Sequence, residues 1–212
     1  VRRMIGVAAF AYIAVHLFLY TADEMFHLGK VVNEIVVRFY LTLGFVALIG
    51  LAALAATSTD GMVRRLGGRA WRRLHQAIYV LGVLAVIHFF LQSKLDIHEP
   101  TVMAGLYLWL MGYRLVARLG KANRRAPVAT AVALGIAASF VTASGEAIYY
   151  WTSMGVDPLM VLAANLMFDI GVRPGWIVLG ITFAVAAIAG VRDAFQSAKK
   201  FGVRSTSKVS AS

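Results

Sequence analysis

Residues 71–93 read WRRLHQAIYVLGVLAVIHFFLQS and are almost entirely apolar after Arg73. No Asp, Glu, Lys or Arg stands between Arg73 and Lys94, an uncharged run about as long as a helix needs to cross a hydrocarbon core. Similar apolar runs occupy residues 4–22, 39–58, 100–117, 128–150 and 174–191. The composition agrees, with 60% hydrophobic and 15% charged residues and a mean hydropathy of +0.74. The sequence therefore predicts an all-α, polytopic membrane helix bundle with about six transmembrane helices.

The basic residues fall into alternate connections between these runs. Most of the 21 Lys and Arg residues lie within residues 2–3, 64–73, 114–125 and 192–208, whereas the other connections are poor in cations. Cytoplasmic loops of membrane proteins carry such an excess of positive charge. We therefore expect both termini in the cytoplasm and a multi-pass protein surrounded by the lipid of a bacterial inner membrane. Topology accounts for the net charge of +11, so no nucleic-acid partner is predicted.

The absence of cysteine limits the metal chemistry of the chain. It excludes thiolate metal sites, iron–sulfur clusters and covalent haem attachment, so a metal cofactor must be held by histidine or oxygen ligands. His16 and His88 lie within predicted spans that both run outward, and each is roughly 20 Å along its helix. Two imidazoles at one depth on facing helices can ligate the iron of a low-spin haem. The alternative is that each is a core histidine bonded to a hydroxyl or carbonyl.

A third histidine, His75, stands at the inner mouth of its helix beside Trp71 and two arginines. It could ligate a second haem, contact a propionate or face water. His75 and His88 are about 140° apart on an ideal helix, so they share a face only if the helix carries a bulge. The position thirteen residues before His16 is Arg3, which cannot ligate iron. The sequence therefore identifies no second axial ligand that could pair with His75 on an inner haem.

Other polar residues have simpler interpretations. His27 and His98 fall in outer loops beside acidic residues and are expected to be solvated. Glu146 lies about one turn from the outer end of its span, where its side chain can reach the interface. Asp157-Pro158 followed by apolar residues predicts a short capped helix on the outer surface. Gly44 allows close helix contact or the approach of a flat ligand, with packing as the favoured interpretation.

Several ordered motifs resemble the MsrQ (YedZ) family, within the ferric reductase-like transmembrane group. They are Arg2-Arg3-Met4-Ile5-Gly6 through His16-Leu17, Tyr40-Leu41-Thr42-Leu43-Gly44, Thr57-Ser58-Thr59, and Trp71-Arg72-Arg73-Leu74-His75-Gln76-Ala77-Ile78-Tyr79 through Ile87-His88-Phe89. The resemblance covers about residues 1–120. It implies haem b, with His16, His75 and His88 matching the haem-associated histidines of the family.

The resemblance also implies a function in electron transfer. It implies FMN on the cytoplasmic side, a cytoplasmic flavin reductase or the quinone pool as donor, and a periplasmic molybdopterin-containing methionine-sulfoxide reductase as partner. The chain would then be an electron-transfer subunit rather than the catalytic enzyme. A stand-alone ferric or quinone reductase is the alternative within the same chemistry. A transporter or assembly subunit with structural histidines is the alternative from another class.

The resemblance suggests how the chain is organised. We expect a haem-binding four-helix core over residues 1–120, two additional transmembrane helices with an outer surface helix over residues 121–200, and a disordered tail over residues 201–212. Family members typically carry two further spans ahead of the first motif. Truncation is the simpler explanation, and a permuted arrangement is the alternative, prompted by Gly155-Val156-Asp157-Pro158, which resembles a segment of the family's first outer loop.

Overall fold

A computed structural model describes residues 2–94, 96–119 and 127–209 of the chain. It divides the chain into two compact units, Val1–Leu95 and Asp96–Ser212. The helices of the first unit are α1 (Arg2–Asp23), α2 (Leu28–Val37), α3 (Phe39–Ala56), α4 (Asp60–Leu66), α5 (Gly68–His75) and α6 (Ile78–Ser93). Those of the second are α7 (His98–Arg118), α8 (Pro127–Met154), α9 (Pro158–Ala164) and α10 (Pro174–Val209), with a short 3₁₀ helix at Phe168–Ile170. The described residues form no strand, which confirms the all-α prediction.

Five of the described helical segments are long and apolar enough to cross a membrane: Arg3–Asp23, Phe39–Ala56, Gly68–Ser93, Pro127–Met154 and Pro174–Phe195. This confirms a multi-pass membrane bundle. The remaining predicted span, residues 100–117, is helical as α7, but its tyrosines, Trp109 and Arg114 make it less apolar than the other five. Its crossing and the sidedness of the loops stay predictions, and residues 120–126 of one basic connection lie outside the described residues.

In the first unit, α3 packs against both α1 and α6. Leu51 and Leu54 of α3 and Leu81 of α6 are buried together, and Phe10 and Ile13 of α1 pack against them. Burial of such side chains stabilises helix contacts through close packing even where lipid surrounds the bundle. The three helices therefore share one apolar centre.

Polar contacts fix the two ends of this unit. At one end Arg3 forms an ion pair with Asp60, which begins α4. At the other end the Tyr20 hydroxyl donates a hydrogen bond to Glu34 on α2. Because α1 reaches α4 at its start and α2 at its end, α1 and α3 run in opposite directions. The ends of α1 are thus tied to segments that flank α3.

The contact between Tyr20 and Glu34 predicts a response to acid. The hydrogen bond from Tyr20 lowers the pKa of Glu34 below its ordinary value of 4.5, and Arg38 and Lys30 act in the same direction. A lowered folded-state pKa means that the stabilisation is present above pH 4.5 and is lost as the pH falls through the lowered value. We expect amide exchange in α2 to accelerate in that acidic range after correction for intrinsic rates. Tyr20→Phe should weaken this dependence, and an identical pH profile in Tyr20→Phe would contradict the assignment.

In the second unit, α8 packs against α7, α9 and α10. Trp109, Ala138 and Val178 form its buried centre. The Trp109 indole donates to the Ala131 carbonyl at 2.9 Å, and Gly105 faces Thr142, so the two helices are antiparallel. The first compact unit ends at Leu95, and α7 packs with α8 and α10 in the second. The haem-binding four-helix core over residues 1–120 stays a prediction.

Two local expectations concern the ends of later helices. Asp157 is the N-cap of α9, where its carboxylate accepts from the Leu159 amide at 2.8 Å, with Pro158 in the first turn. This confirms the predicted capped helix. The helix α10 extends to Val209, into the segment that the sequence predicts as disordered, while residues 210–212 lie outside the described residues.

Candidate functional site

The imidazole of His88 is oriented by the backbone of α3. Its Nδ1 lies 2.7 Å from the carbonyl oxygen of Tyr40. A carbonyl oxygen only accepts hydrogen bonds, so Nδ1 carries the proton of the neutral ring. Nε2 then keeps its lone pair and has no hydrogen-bond partner among the described residues. This tautomer is the one that metal-bound histidines adopt when a carbonyl orients the ring.

Gly44 provides the surface against which this ring lies. A Cβ placed on Gly44 would come within 2.8 Å of both Nδ1 and Cε1 of His88. Gly44 is seven residues before the buried Leu51, so both lie on the same face of α3. The missing side chain therefore leaves a gap in the packed face, and His88 occupies part of it. The structure favours a specific approach at Gly44 over general helix packing.

His16 lies on α1 one turn beyond Ile13, which packs against the apolar centre of the unit. His88 lies one turn beyond Leu84, which packs against the same centre. Both histidines therefore continue helix faces that converge on α3, and they do so at the same end of the unit. The His16 side chain is exposed and makes no hydrogen bond or ring contact with His75 or His88 in the described part of the chain. Its imidazole is available for a ligand.

His75 is held differently. Its ring stacks on Trp71, with centroids 3.9 Å apart and planes inclined by 26°. Nδ1 lies 3.1 Å from the Trp71 carbonyl, and Nε2 lies 3.3 Å from the Ser58 hydroxyl. The Trp71 indole in turn donates to the Thr57 carbonyl at 2.8 Å. Both nitrogens of His75 thus have protein partners, unlike those of His88.

The connection between α5 and α6 changes the angle between His75 and His88. Amide groups at Gln76, Ala77, Tyr79 and Val80 donate to carbonyls three residues earlier. A residue in such a 3₁₀ turn rotates by about 120° rather than about 100°. Four of them reduce the expected separation of 140° to roughly 60°. A tightened turn therefore supplies the irregularity that the two histidines need to approach one face.

Arg3 cannot ligate iron, and its guanidinium forms an ion pair with Asp60. His75 therefore has no identified partner for a second iron. Among the described residues there is no group of three or more His, Asp or Glu side chains able to hold a free metal ion. A haem iron needs only two axial ligands from the protein, because its porphyrin supplies four nitrogens. His16 and His88 are the two candidates that the sequence predicts for these positions.

The remaining polar residues depart in part from expectation. His27 is exposed, as the sequence predicts, with Nδ1 3.0 Å from the Glu24 carbonyl. His98 is half-buried and bonds to the Val172 carbonyl at 3.0 Å. Glu146 is only 1% exposed, so the expectation that it reaches the interface is wrong. It pairs instead with Arg173 at 3.5 Å, a partner that lies in a later loop.

Sequence reasoning missed the groups that orient the histidines. The carbonyl of Tyr40 is a backbone atom 48 residues from His88, so no residue type marks it. Trp71 stands four residues before His75, and that spacing on a helix is a usable signal for stacking.

The chain is similar in sequence to several known proteins. Residues 1–86 match the model of the family described as "Ferric reductase like transmembrane component". A protein of Rhodospirillum rubrum named protein-methionine-sulfoxide reductase heme-binding subunit MsrQ is 47% identical over 116 residues, which cover 54% of this chain and 56% of the relative. Proteins with the same name from Xanthomonas oryzae pv. oryzae and Xanthomonas campestris pv. campestris are each 47% identical, over 59% and 56% of this chain and 60% and 54% of their own lengths.

These matches cover a part of each protein. The chain spans little more than half the length of the curated relatives it matches. No solved structure matches it. Over residues 1–86 the chain is similar to the ferric reductase-like transmembrane component, and over the matched segments it is similar to the MsrQ heme-binding subunits.

Proposed function

We propose that this chain is a membrane b-type cytochrome that transfers electrons, with His16 and His88 as the axial ligands of one haem. The observation that carries the proposal is the hydrogen bond from His88 Nδ1 to the Tyr40 carbonyl, which leaves the Nε2 lone pair for iron while the ring packs against Gly44. The haem-binding names of the relatives support the choice of cofactor. Haem b supplies a one-electron iron couple when it is bound.

The protein residues set the conditions for that couple. The Tyr40 carbonyl fixes the ring plane of His88 and increases the electron density on Nε2. Apolar residues of α1, α3 and α6 pack together about one turn from the two histidines and limit the polarity there. A bis-imidazole site of this kind is saturated with protein ligands, so it passes electrons without binding a substrate at iron. That property suits an electron-transfer subunit.

We assign the electron route from the family. The donor is a cytoplasmic flavin or the quinone pool, and the acceptor is a periplasmic molybdopterin-containing methionine-sulfoxide reductase reached across the inner membrane. The name of the relatives, a heme-binding subunit of protein-methionine-sulfoxide reductase, supports the acceptor. To test this acceptor, the reduced chain is mixed with that enzyme and methionine sulfoxide, and oxidation of the haem is followed by absorbance. Equal oxidation of the reduced chain by ferric citrate alone would favour the stand-alone ferric reductase.

FMN is the proposed flavin, and its phosphate is placed at the start of α5. A surface groove of about 520 Å³ is lined there by Gly67, Gly68, Arg69 and Arg73, among others. Hydrogen bonds to charged groups contribute about 1.5–3 kcal/mol each. We therefore expect Arg69→Gln with Arg73→Gln to weaken FMN binding tenfold or more in a fluorescence titration. Arg64→Gln, which lies outside the groove lining, is the matched control, and equal affinities in all variants would remove FMN from this groove.

The proposed function is tested by absorption spectroscopy of the purified wild-type chain. Expressed with added haem precursor and kept in mild detergent, it should give an oxidised spectrum and a dithionite-reduced spectrum of a six-coordinate b-type cytochrome. A chain that stays colourless under these conditions would refute electron transfer through haem. The transporter or assembly subunit with structural histidines would then be the better account.

A further inference from the structure

A polar layer within the second unit has no part in the proposed haem site. Glu146 is 1% exposed and Thr101 4% exposed, and Arg173 is half-buried. Each of the three carries a buried polar atom without a hydrogen-bond partner among the described residues: Thr101 Oγ1, Glu146 Oε2 and Arg173 Nε. An unpartnered buried polar atom costs about 1–3 kcal/mol, so three in one unit require an explanation.

Contacts between α7 and α8 place two of these residues at one level. A Cβ on Gly105 would contact the Thr142 hydroxyl, so these two residues face each other. Because the helices are antiparallel, the next turn toward the start of α7 lies beside the next turn toward the end of α8. Those turns carry Thr101 and Glu146. The two unpartnered oxygens therefore lie in adjacent positions on facing helices.

Contacts to the segment before α10 bring Arg173 to the same level. An Arg173 Nη1 nitrogen lies 3.5 Å from Glu146 Oε1, which makes an ion pair too long for a strong hydrogen bond. Next to it, His98 donates through Nε2 to the Val172 carbonyl at 3.0 Å. Thr101 follows His98 by one turn of α7, and Arg173 directly follows Val172. The helices α7 and α8 and the loop before α10 thus contribute one polar residue each to a single layer.

The chemistry of the three atoms defines what can complete the layer. Arg173 Nε is a donor, Glu146 Oε2 is an acceptor, and the Thr101 hydroxyl is both. A cation is disfavoured by the arginine and an anion by the glutamate. A small neutral molecule that accepts one hydrogen bond and donates others satisfies all three groups. Water has that capacity, and a buried water typically has about three polar partners.

We propose that Thr101, Glu146 and Arg173 bind one internal water molecule that links α7, α8 and the start of α10. The water accepts from Arg173 Nε and donates to Glu146 Oε2, and it shares its remaining bond with the Thr101 hydroxyl. The water then joins Arg173 Nε to Glu146 Oε2, beside the direct contact between Nη1 and Oε1. A buried ion pair needs such additional hydrogen bonds to be stable. The layer holds three helical segments in register through a solvent molecule.

The direct test is a crystal structure of the protein at 2 Å resolution or better, from crystals grown in a lipid mesophase. We expect a single density peak within about 2.7–3.2 Å of all three atoms. Closure of the three side chains on one another, without a peak, would overturn the proposal. Elongated density would do so as well, because it would identify an organic ligand instead of water.

A double-mutant cycle in detergent gives a second, independent readout. Thr101→Val and Glu146→Gln should be coupled by about fivefold or more in the unfolding equilibrium constant, because the first removes the hydroxyl that bonds the water and the second replaces an accepting carboxylate oxygen with an amide group. The matched control pairs Glu146→Gln with Thr142→Val. Thr142 is also 4% exposed, but its hydroxyl already donates to the Ala138 carbonyl at 2.7 Å. Coupling no larger than that of the control pair would overturn the shared water.

Discussion

His88→Ala is expected to lower the haem content of the purified chain about tenfold or more. The substitution removes the Nε2 lone pair that the Tyr40 carbonyl keeps available, and alanine offers no other iron ligand. His16→Ala should abolish the six-coordinate low-spin spectrum in the same way, because it removes the opposite axial nitrogen. Haem per polypeptide, measured as the pyridine haemochrome, and the reduced spectrum report both effects.

Two histidine variants serve as controls for this series. His27→Ala changes an exposed histidine next to Glu24 and should retain the wild-type haem content. His75→Ala should keep the spectrum of the haem that we assign to His16 and His88. A loss of absorbance in His75→Ala would therefore indicate a second haem. If the variants of His16 and His88 bound as much low-spin haem as His27→Ala, the axial assignment would be wrong.

Gly44→Ala is expected to reduce haem affinity about 10- to 100-fold, although alanine ordinarily stabilises a helix relative to glycine. The added Cβ would stand 2.8 Å from two atoms of the His88 ring, which is closer than real side-chain contacts allow. The ring must then rotate away from the Tyr40 carbonyl, or α3 and α6 must separate. Either change misdirects Nε2. Haem titration of the apoprotein measures the loss.

The control for this substitution is Gly6→Ala on α1. A Cβ on Gly6 would meet nothing within 4 Å, so helix propensity alone should act there. We expect wild-type haem affinity and unchanged or slightly raised thermal stability. Equal haem affinity in Gly44→Ala and Gly6→Ala would show that the close approach of His88 to Gly44 has no role in binding.

The helices could be predicted from the sequence because their signals are local. An uncharged apolar run such as residues 75–93 has one stable conformation in lipid, where every backbone group must be bonded within its own helix. The cap at Asp157 is also local, since its carboxylate reaches the amide two residues on. Matched depths for His16 and His88 followed from counting residues along two helices.

The parts that could not be predicted depend on tertiary contacts. The sequence predicts that Glu146 reaches the interface, because the end of its own helix is close, but Arg173 from a later loop pairs with it inside the unit. The angle between His75 and His88 depended on a tightened turn whose hydrogen bonds leave no mark in residue type. The packing of α7 with α8 and α10 likewise rests on small residues, such as Gly105, that are common throughout the chain.

Electron paramagnetic resonance of the oxidised chain tests whether two histidine nitrogens ligate one haem iron. With ¹⁵N-labelled histidine and unlabelled haem, we predict a low-spin ferric signal with pulsed-resonance couplings from two labelled nitrogens, both lost in His88→Ala. A high-spin signal, or a low-spin signal coupled to a single labelled nitrogen, would contradict bis-histidine ligation by His16 and His88.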